Sequence, residues 1–197
     1  MTVSRLIICF MGVLLICGCK KATLVPEEYI RWVDSYDNGL IKFQVYDKIK
    51  YSVAYRPGEY NLAKALIKGD STAIGMADMG HYNFIVKMEP VDGKTQILTI
   101  NAQRKEEPFE RINYYLSEAP NYIKLIAGKD TLPVTNYHYE RYYNLSPAQC
   151  LVLGFDKLSD KDQPVKLLLE DKVFSTGKLA FVYDQSTLKN IPSLIRE

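Results

Sequence analysis

Histidine and tryptophan are scarce in this sequence of 197 residues, with two His and one Trp. Chemistry that gathers several imidazoles, as many zinc sites do, has little to draw on. His81 and His138 lie far apart, and neither has a His or Cys three or four residues on. An excess of one charge is lacking too. The formal net charge is +2, which builds no field to recruit nucleic acid or an anionic surface. No Pro- or Ser-rich linker, internal repeat or low-complexity tract interrupts the chain. The apolar run Leu6–Gly18 has 13 residues, fewer than the roughly 20 that a membrane-spanning helix needs. What is present is ordinary for a globular chain: 47% hydrophobic and 24% charged residues, which excludes a disordered or collagen-like protein. Tyrosine, at 15 residues, is the one excess.

Residues 1–19 carry a single cation, Arg5, ahead of the short apolar run, the pattern of a secretory signal peptide. The run ends Ile16-Cys17-Gly18-Cys19. This tetrad resembles the lipobox of bacterial lipoprotein precursors, in which an aliphatic residue, a small residue and Gly or Ala precede the acceptor Cys. The resemblance covers residues 1–19 only. It implies a signal peptide over 1–18, cleavage between Gly18 and Cys19, and acyl chains such as palmitate on Cys19, with 19–25 as a lipidated tether. Two or three acyl chains give stable anchoring where one does not. Membrane lipid is then the first partner, and the cell envelope the location. In that class an Asp after the Cys retains the protein in the inner membrane. Lys20 stands there instead, which favours the outer membrane where the cell has two. On the same reading Cys9 and Cys17 leave with the signal, Cys19 is occupied, and Cys150 remains alone without a disulfide partner. The apolar run Cys150–Phe155 makes that thiol a buried small hydrophobe and not a nucleophile, which needs an electropositive, partly exposed setting.

Along the remaining chain, Pro26 with Glu27 and Glu28 predicts a helix start, with Tyr29, Ile30 and Val33 on one face and a stop at Asn38-Gly39. Ile41–Val45 and Tyr51–Tyr55 alternate as strands. A short helix is expected over Glu59–Ile67, and an irregular loop over Asp70–Gly80. Asp92-Gly93 predicts a hairpin turn between strands Tyr82–Met88 and Gln96–Ala102. Pro108–Leu116 reads as a helix with Phe109, Ile112 and Leu116 on its apolar face, closed by Pro120. Five strand-like runs follow, at 122–127, 134–143, 150–155, 165–170 and 178–183, spaced as in an antiparallel sandwich. The expected fold is α+β and β-rich, an α+β region over 26–120 followed by a β-sandwich-like region over 121–197, the two separate or one continuous domain. A chain of this length buries about 70% of its unfolded surface, so stability requires no metal or disulfide.

Motifs for chemistry are few. Asp156, Asp160 and Asp162 lack calcium-loop spacing. Ser175-Thr176-Gly177-Lys178 matches Ser-x-x-Lys but leads into a strand instead of opening a helix, and no Ser-Asp-Asn or Lys-Thr-Gly accompanies it. No cofactor or metal motif is present. The candidate binding face is Asn136–Tyr143: in an extended strand Tyr137, Tyr139, Arg141 and Tyr143 share one side. Aromatic residues with Arg compose binding hot spots, while tyrosines at this spacing also suit a purely structural cross-strand ladder. Two functions are therefore expected: a non-enzymatic envelope binding or assembly module with a protein or glycan partner, or an envelope hydrolase using carboxylates that the fold brings together.

Overall fold

The computed structural model describes residues 22–70, 80–142, 145–158 and 163–196. The segment read as a signal peptide, with Gly18 and Cys19, most of the loop expected over Asp70–Gly80, and Tyr143 lie outside the described residues.

Pro26 occupies the first turn of helix α1 (Pro26–Val33), where its missing N–H costs nothing, and Glu27 and Glu28 face the positive end of the helix dipole. Tyr29 and Val33 are its buried residues. A short turn, Tyr36–Asn38, ends at Gly39 with φ +73°, a left-handed backbone that favours glycine. Strands β2 (Ile41–Tyr46) and β3 (Ile49–Arg56) then form a hairpin through Asp47-Lys48, with Asp47 at φ +50°. Ahead of α1, Thr23–Leu24 forms strand β1, whose partner comes from the far end of the chain. Helix α2 (Tyr60–Ile67) packs beside α1 and buries Leu62 and Ala63, with Ile67 left exposed. Strand β4 (His81–Pro90) buries Tyr82, Phe84, Val86 and Met88 at alternate positions, the period of a strand with one face on a core.

Two expectations fail at this point. Gln96–Ala102 does not return as a strand; Ile97–Thr99 forms one helical turn instead. Both edges of β4 are already taken, by β3 on one side and by β8 (Gln149–Asp156) on the other. The Asp92 carboxylate also claims the next amides, accepting from Lys94 N and Thr95 N at 2.9 Å each. The second failure is the face of α3 (Glu107–Ser117). The helix buries Arg111 and Tyr115, while Phe109 is 70% exposed and Leu116 is exposed as well.

After Pro120 the chain lays down β5 (Ile123–Ala127), β6 (Asp130–Pro133), β7 (Asn136–Glu140), then β8, β9 (Val165–Glu170) and β10 (Lys178–Tyr183). Strand β6 was not among the expected runs. A short helix, α4 (Gln185–Lys189), leads to β11 (Ser193–Leu194), which pairs in parallel with β1.

The chain is α+β and β-rich, and its two larger sheets are antiparallel: β2-β3-β4-β8-β7 and β10-β9-β5-β6. The five-stranded sheet takes β2–β4 from before Pro120 and β7 and β8 from after it, so it crosses the division expected there. The facing sides of the sheets bury one another. The Tyr183 ring of β10 lies 6.1 Å from Tyr55 and 5.6 Å from Phe84, and its hydroxyl donates to Val53 O at 2.8 Å. Phe84, Phe155 and Phe181 join the same cluster, each stabilising the fold by roughly 1.5–3 kcal/mol through burial.

Candidate functional site

The register of β7 on β8 decides the fate of the tyrosine face. Tyr139 stands opposite Leu151 and Tyr137 opposite Leu153, both inward-facing residues, so both tyrosines turn toward the core. Tyr139 is only 4% exposed; its hydroxyl donates to Gln149 Oε1 at 2.5 Å and its ring lies 5.5 Å from that of Tyr115. Tyr137 is half-buried, and its hydroxyl donates to Tyr115 O at 2.5 Å. An exposed aromatic face is therefore not what β7 presents. Arg141 is exposed and lies beyond the strand end, and Tyr143 falls outside the described residues.

These tyrosines border a polar centre that sequence reading missed. Asp171, 2% exposed, follows β9 at the start of the turn into β10. Its Oδ2 accepts from Tyr51 at 2.9 Å and from Tyr115 at 2.8 Å, and its Oδ1 accepts from Val173 N at 3.0 Å. The Thr176 hydroxyl accepts the Asp171 N–H, and the Thr176 N–H returns to Asp171 O. Burial raises the carboxyl above the ordinary range, and the hydrogen bonds from Tyr115, Tyr51 and the turn amides partly counter that. With its oxygens so occupied, Asp171 acts as a buried tie between the two sheets and α3. The Ser175–Lys178 stretch is part of this turn, with Ser175 at φ +52° and Gly177 at φ +65°.

Arg111 is a second buried polar group. Its guanidinium donates to Ile100 O at 2.6 Å, to Leu98 O at 3.0 Å and to Glu107 at 2.5 Å, and it lies over the Phe174 ring. This explains the inverted face of α3: the helix docks through a satisfied cation.

Cys150 is buried at 4% exposure, but on the outer side of the five-stranded sheet, level with Lys87 and Glu140. Burial pushes its thiol up to about 12, with the neighbouring Glu140 charge adding to the shift. Tyr142 donates to Glu140 Oε2 at 2.9 Å beside it.

Three open clefts are formed by described residues. One of about 380 Å³ lies between exposed Phe109 and Ile112 of α3, Leu98 and Arg141, so one member of the expected face does line a cleft. Another of about 520 Å³ is lined by Lys48, Val91, Asp92, Thr95, Thr99 and Asn101. Asp92 there accepts from two amides and the Thr95 hydroxyl, which holds its carboxyl down at about 2. The third, about 400 Å³, runs between edge strands β2 and β10, past Ile41, Phe43, Gln44, Ala180 and Val182. Among the described residues no three His, Cys, Asp or Glu side chains gather as metal ligands, and no helix is long and apolar enough to cross a membrane. Comparison with protein-family models, with curated proteins and with solved structures finds no match.

Proposed function

We propose that this chain is an envelope lipoprotein anchored through acylated Cys19, whose folded body is a non-enzymatic binding or assembly module for an envelope protein or glycan. The anchor reading rests on the lipobox-like Ile16-Cys17-Gly18-Cys19. It agrees with the way the body begins: Ser193 N donates to Ala22 O at 2.8 Å and Ile195 N to Leu24 O at 2.9 Å. A lipid on Cys19 would thus hold the body close to the membrane surface.

The observation that carries the binding reading is the open side of the sandwich, where Phe43 and the exposed Val182 line the β2–β10 cleft and Val45, 57% exposed like Phe43, continues the same face of β2. Apolar side chains held toward solvent together mark interaction surfaces. The hydrolase reading needs two carboxylates facing across a cleft. Of the described residues lining the three clefts, Asp92 is the one carboxylate, and its lowered value suits neither a general acid nor a base near neutral pH.

Fractionation tests the anchor. Wild-type protein should partition into membranes and take up labelled fatty acid, and Cys19→Ala should do neither. A wild type that stays in the soluble fraction after lysis would overturn the proposal.

A further inference from the structure

Strand β2 ends the five-stranded sheet, and the hairpin register shows which of its backbone groups are left over. Tyr55 N donates to Leu40 O at 2.9 Å, and the two-residue turn pairs Tyr46 with Ile49. Hydrogen-bonded positions recur every second residue in an antiparallel pair. Leu40, Lys42, Gln44 and Tyr46 therefore spend their N–H and C=O groups on β3. Those of Ile41, Phe43 and Val45 point away from the sheet, and no described residue pairs with them.

Two of these three, Phe43 and Val45, are also exposed apolar side chains, and Ile41 on the same face is partly exposed. Edge strands in natural proteins are commonly blunted by proline, bulges or charge at the outward positions. Here the outward positions read Ile, Phe and Val. The edge is also braced: Gln44 Nε2 donates to Ala180 O at 2.6 Å and the Tyr46 hydroxyl to Ser175 O at 3.0 Å. A strand already held in place loses little freedom on pairing.

Charge selects the partner. Lys42 lines the cleft from the face of β2 opposite to Phe43, the face on which every second side chain of an added strand would lie. Lys50, opposite Val45, instead covers the Phe43 ring at 5.3 Å, and Lys178 shares a face of β10 with Ala180 and Val182. No described carboxylate forms an ion pair with any of the three. We infer that the free edge of β2 takes an extended peptide segment of a partner protein by strand addition, with apolar residues beside Ile41, Phe43 and Val45 and acidic residues between them. A second copy of this chain added through the same edge would offer Ile41–Tyr46, a segment that holds Lys42 and no carboxylate to meet it, which disfavours that pairing. The inference names a partner for the binding module proposed above.

The probe is a synthetic Val-Glu-Ile-Glu-Val-Glu peptide, titrated into the full mature chain in detergent and followed by amide hydrogen exchange and fluorescence anisotropy. Without peptide, the amides of Phe43 and Val45 should exchange fast while those of Gln44 and Tyr46 are protected. With peptide at saturation, Phe43 and Val45 should slow at least tenfold. Phe43→Glu should weaken binding at least tenfold, and so should replacing each Glu of the peptide by Lys. Methylating the peptide's pairing-edge amides should do the same with the protein untouched, so a misfolded variant cannot hide the answer. Unchanged exchange at Phe43 and Val45, or equal binding of the methylated peptide, would overturn the inference. Protection that grows with protein concentration alone, with a doubled mass in sedimentation, would overturn it in favour of a second copy. None of these outcomes depends on Cys19, so failure here leaves the anchor reading standing, and failure of the anchor leaves this edge unaffected.

Discussion

The Tyr51 hydroxyl donates to Asp171 Oδ2 across 2.9 Å, joining the inner face of β3 to the turn between β9 and β10. Tyr115 of α3 donates to the same oxygen at 2.8 Å. One buried carboxylate oxygen thus connects both sheets and a helix that lie far apart in sequence.

Removing one donor leaves that oxygen under-satisfied. Tyr51→Phe and Tyr115→Phe should each destabilise the fold by about 1–3 kcal/mol, the cost of a buried charged group losing a hydrogen bond. The two changes share an acceptor, so their effects should not add in the double variant. Urea denaturation of the four proteins measures this, and strict additivity would show that the tyrosines act independently.

Asp171 also gives stability a pH dependence. Its folded-state value is raised above the ordinary 3.8, chiefly by burial, so the folded chain holds this proton more tightly than the unfolded chain. The stability it contributes is full below the unfolded value and is lost as pH rises through the folded one. Asp171→Asn removes that titration. The variant's stability relative to wild type should rise with pH across this window, as read from urea midpoints at a series of pH values; parallel curves would exclude the linkage.

Tyr139 and Arg141, two residues apart, should separate cleanly. Tyr139→Ala removes a buried aromatic and should cost about 3–5 kcal/mol. Arg141→Ala, at an exposed position, should stay within about 0.5 kcal/mol. Thermal melts of the two variants check this, and similar losses would mean that Arg141 also carries packing.

The Cys150 thiol should be inert while the sheet is intact. With Cys9, Cys17 and Cys19 replaced by Ser, a thiol reagent at pH 8 should fail to label native protein and should label it fully in denaturant, since burial pushes the thiol up to about 12. Tyr142→Ala removes a side chain in contact with the thiol and should speed native labelling at least tenfold. Rapid labelling of the unaltered sheet would place Cys150 at the surface.

Much of the fold is legible from short stretches. The alternation Tyr82–Met88 gives a half-buried strand because every second side chain of an extended chain meets the same side. Pro26 with two acids starts a helix because that end of a helix lacks N–H acceptors and carries positive potential. The strand runs after Pro120 are read the same way. The candidate site was far less legible. Nothing near Asp171 announces Tyr51, 120 residues away, or Tyr115, 56 residues away; the local hint was an Asp two residues before an amide it could hold.

The sequence by itself determined periodicity, helix starts and turn positions, and with them an α+β, β-rich chain of antiparallel strands, because those depend on residues within one turn or one strand. Tertiary structure alone decided which neighbour each element met. Strand β4, enclosed by β3 and β8, had no edge left for the hairpin that Asp92-Gly93 suggested. Helix α3 buried Arg111 and exposed Phe109 because the carbonyls of Leu98 and Ile100 satisfied the guanidinium. The register on β8 turned Tyr139 inward, and the place of β2 at the end of its sheet left the backbone groups of Ile41, Phe43 and Val45 without a partner strand among the described residues. A period is set by residues close in the chain, whereas burial and pairing are set by whichever distant segment occupies the space beside it.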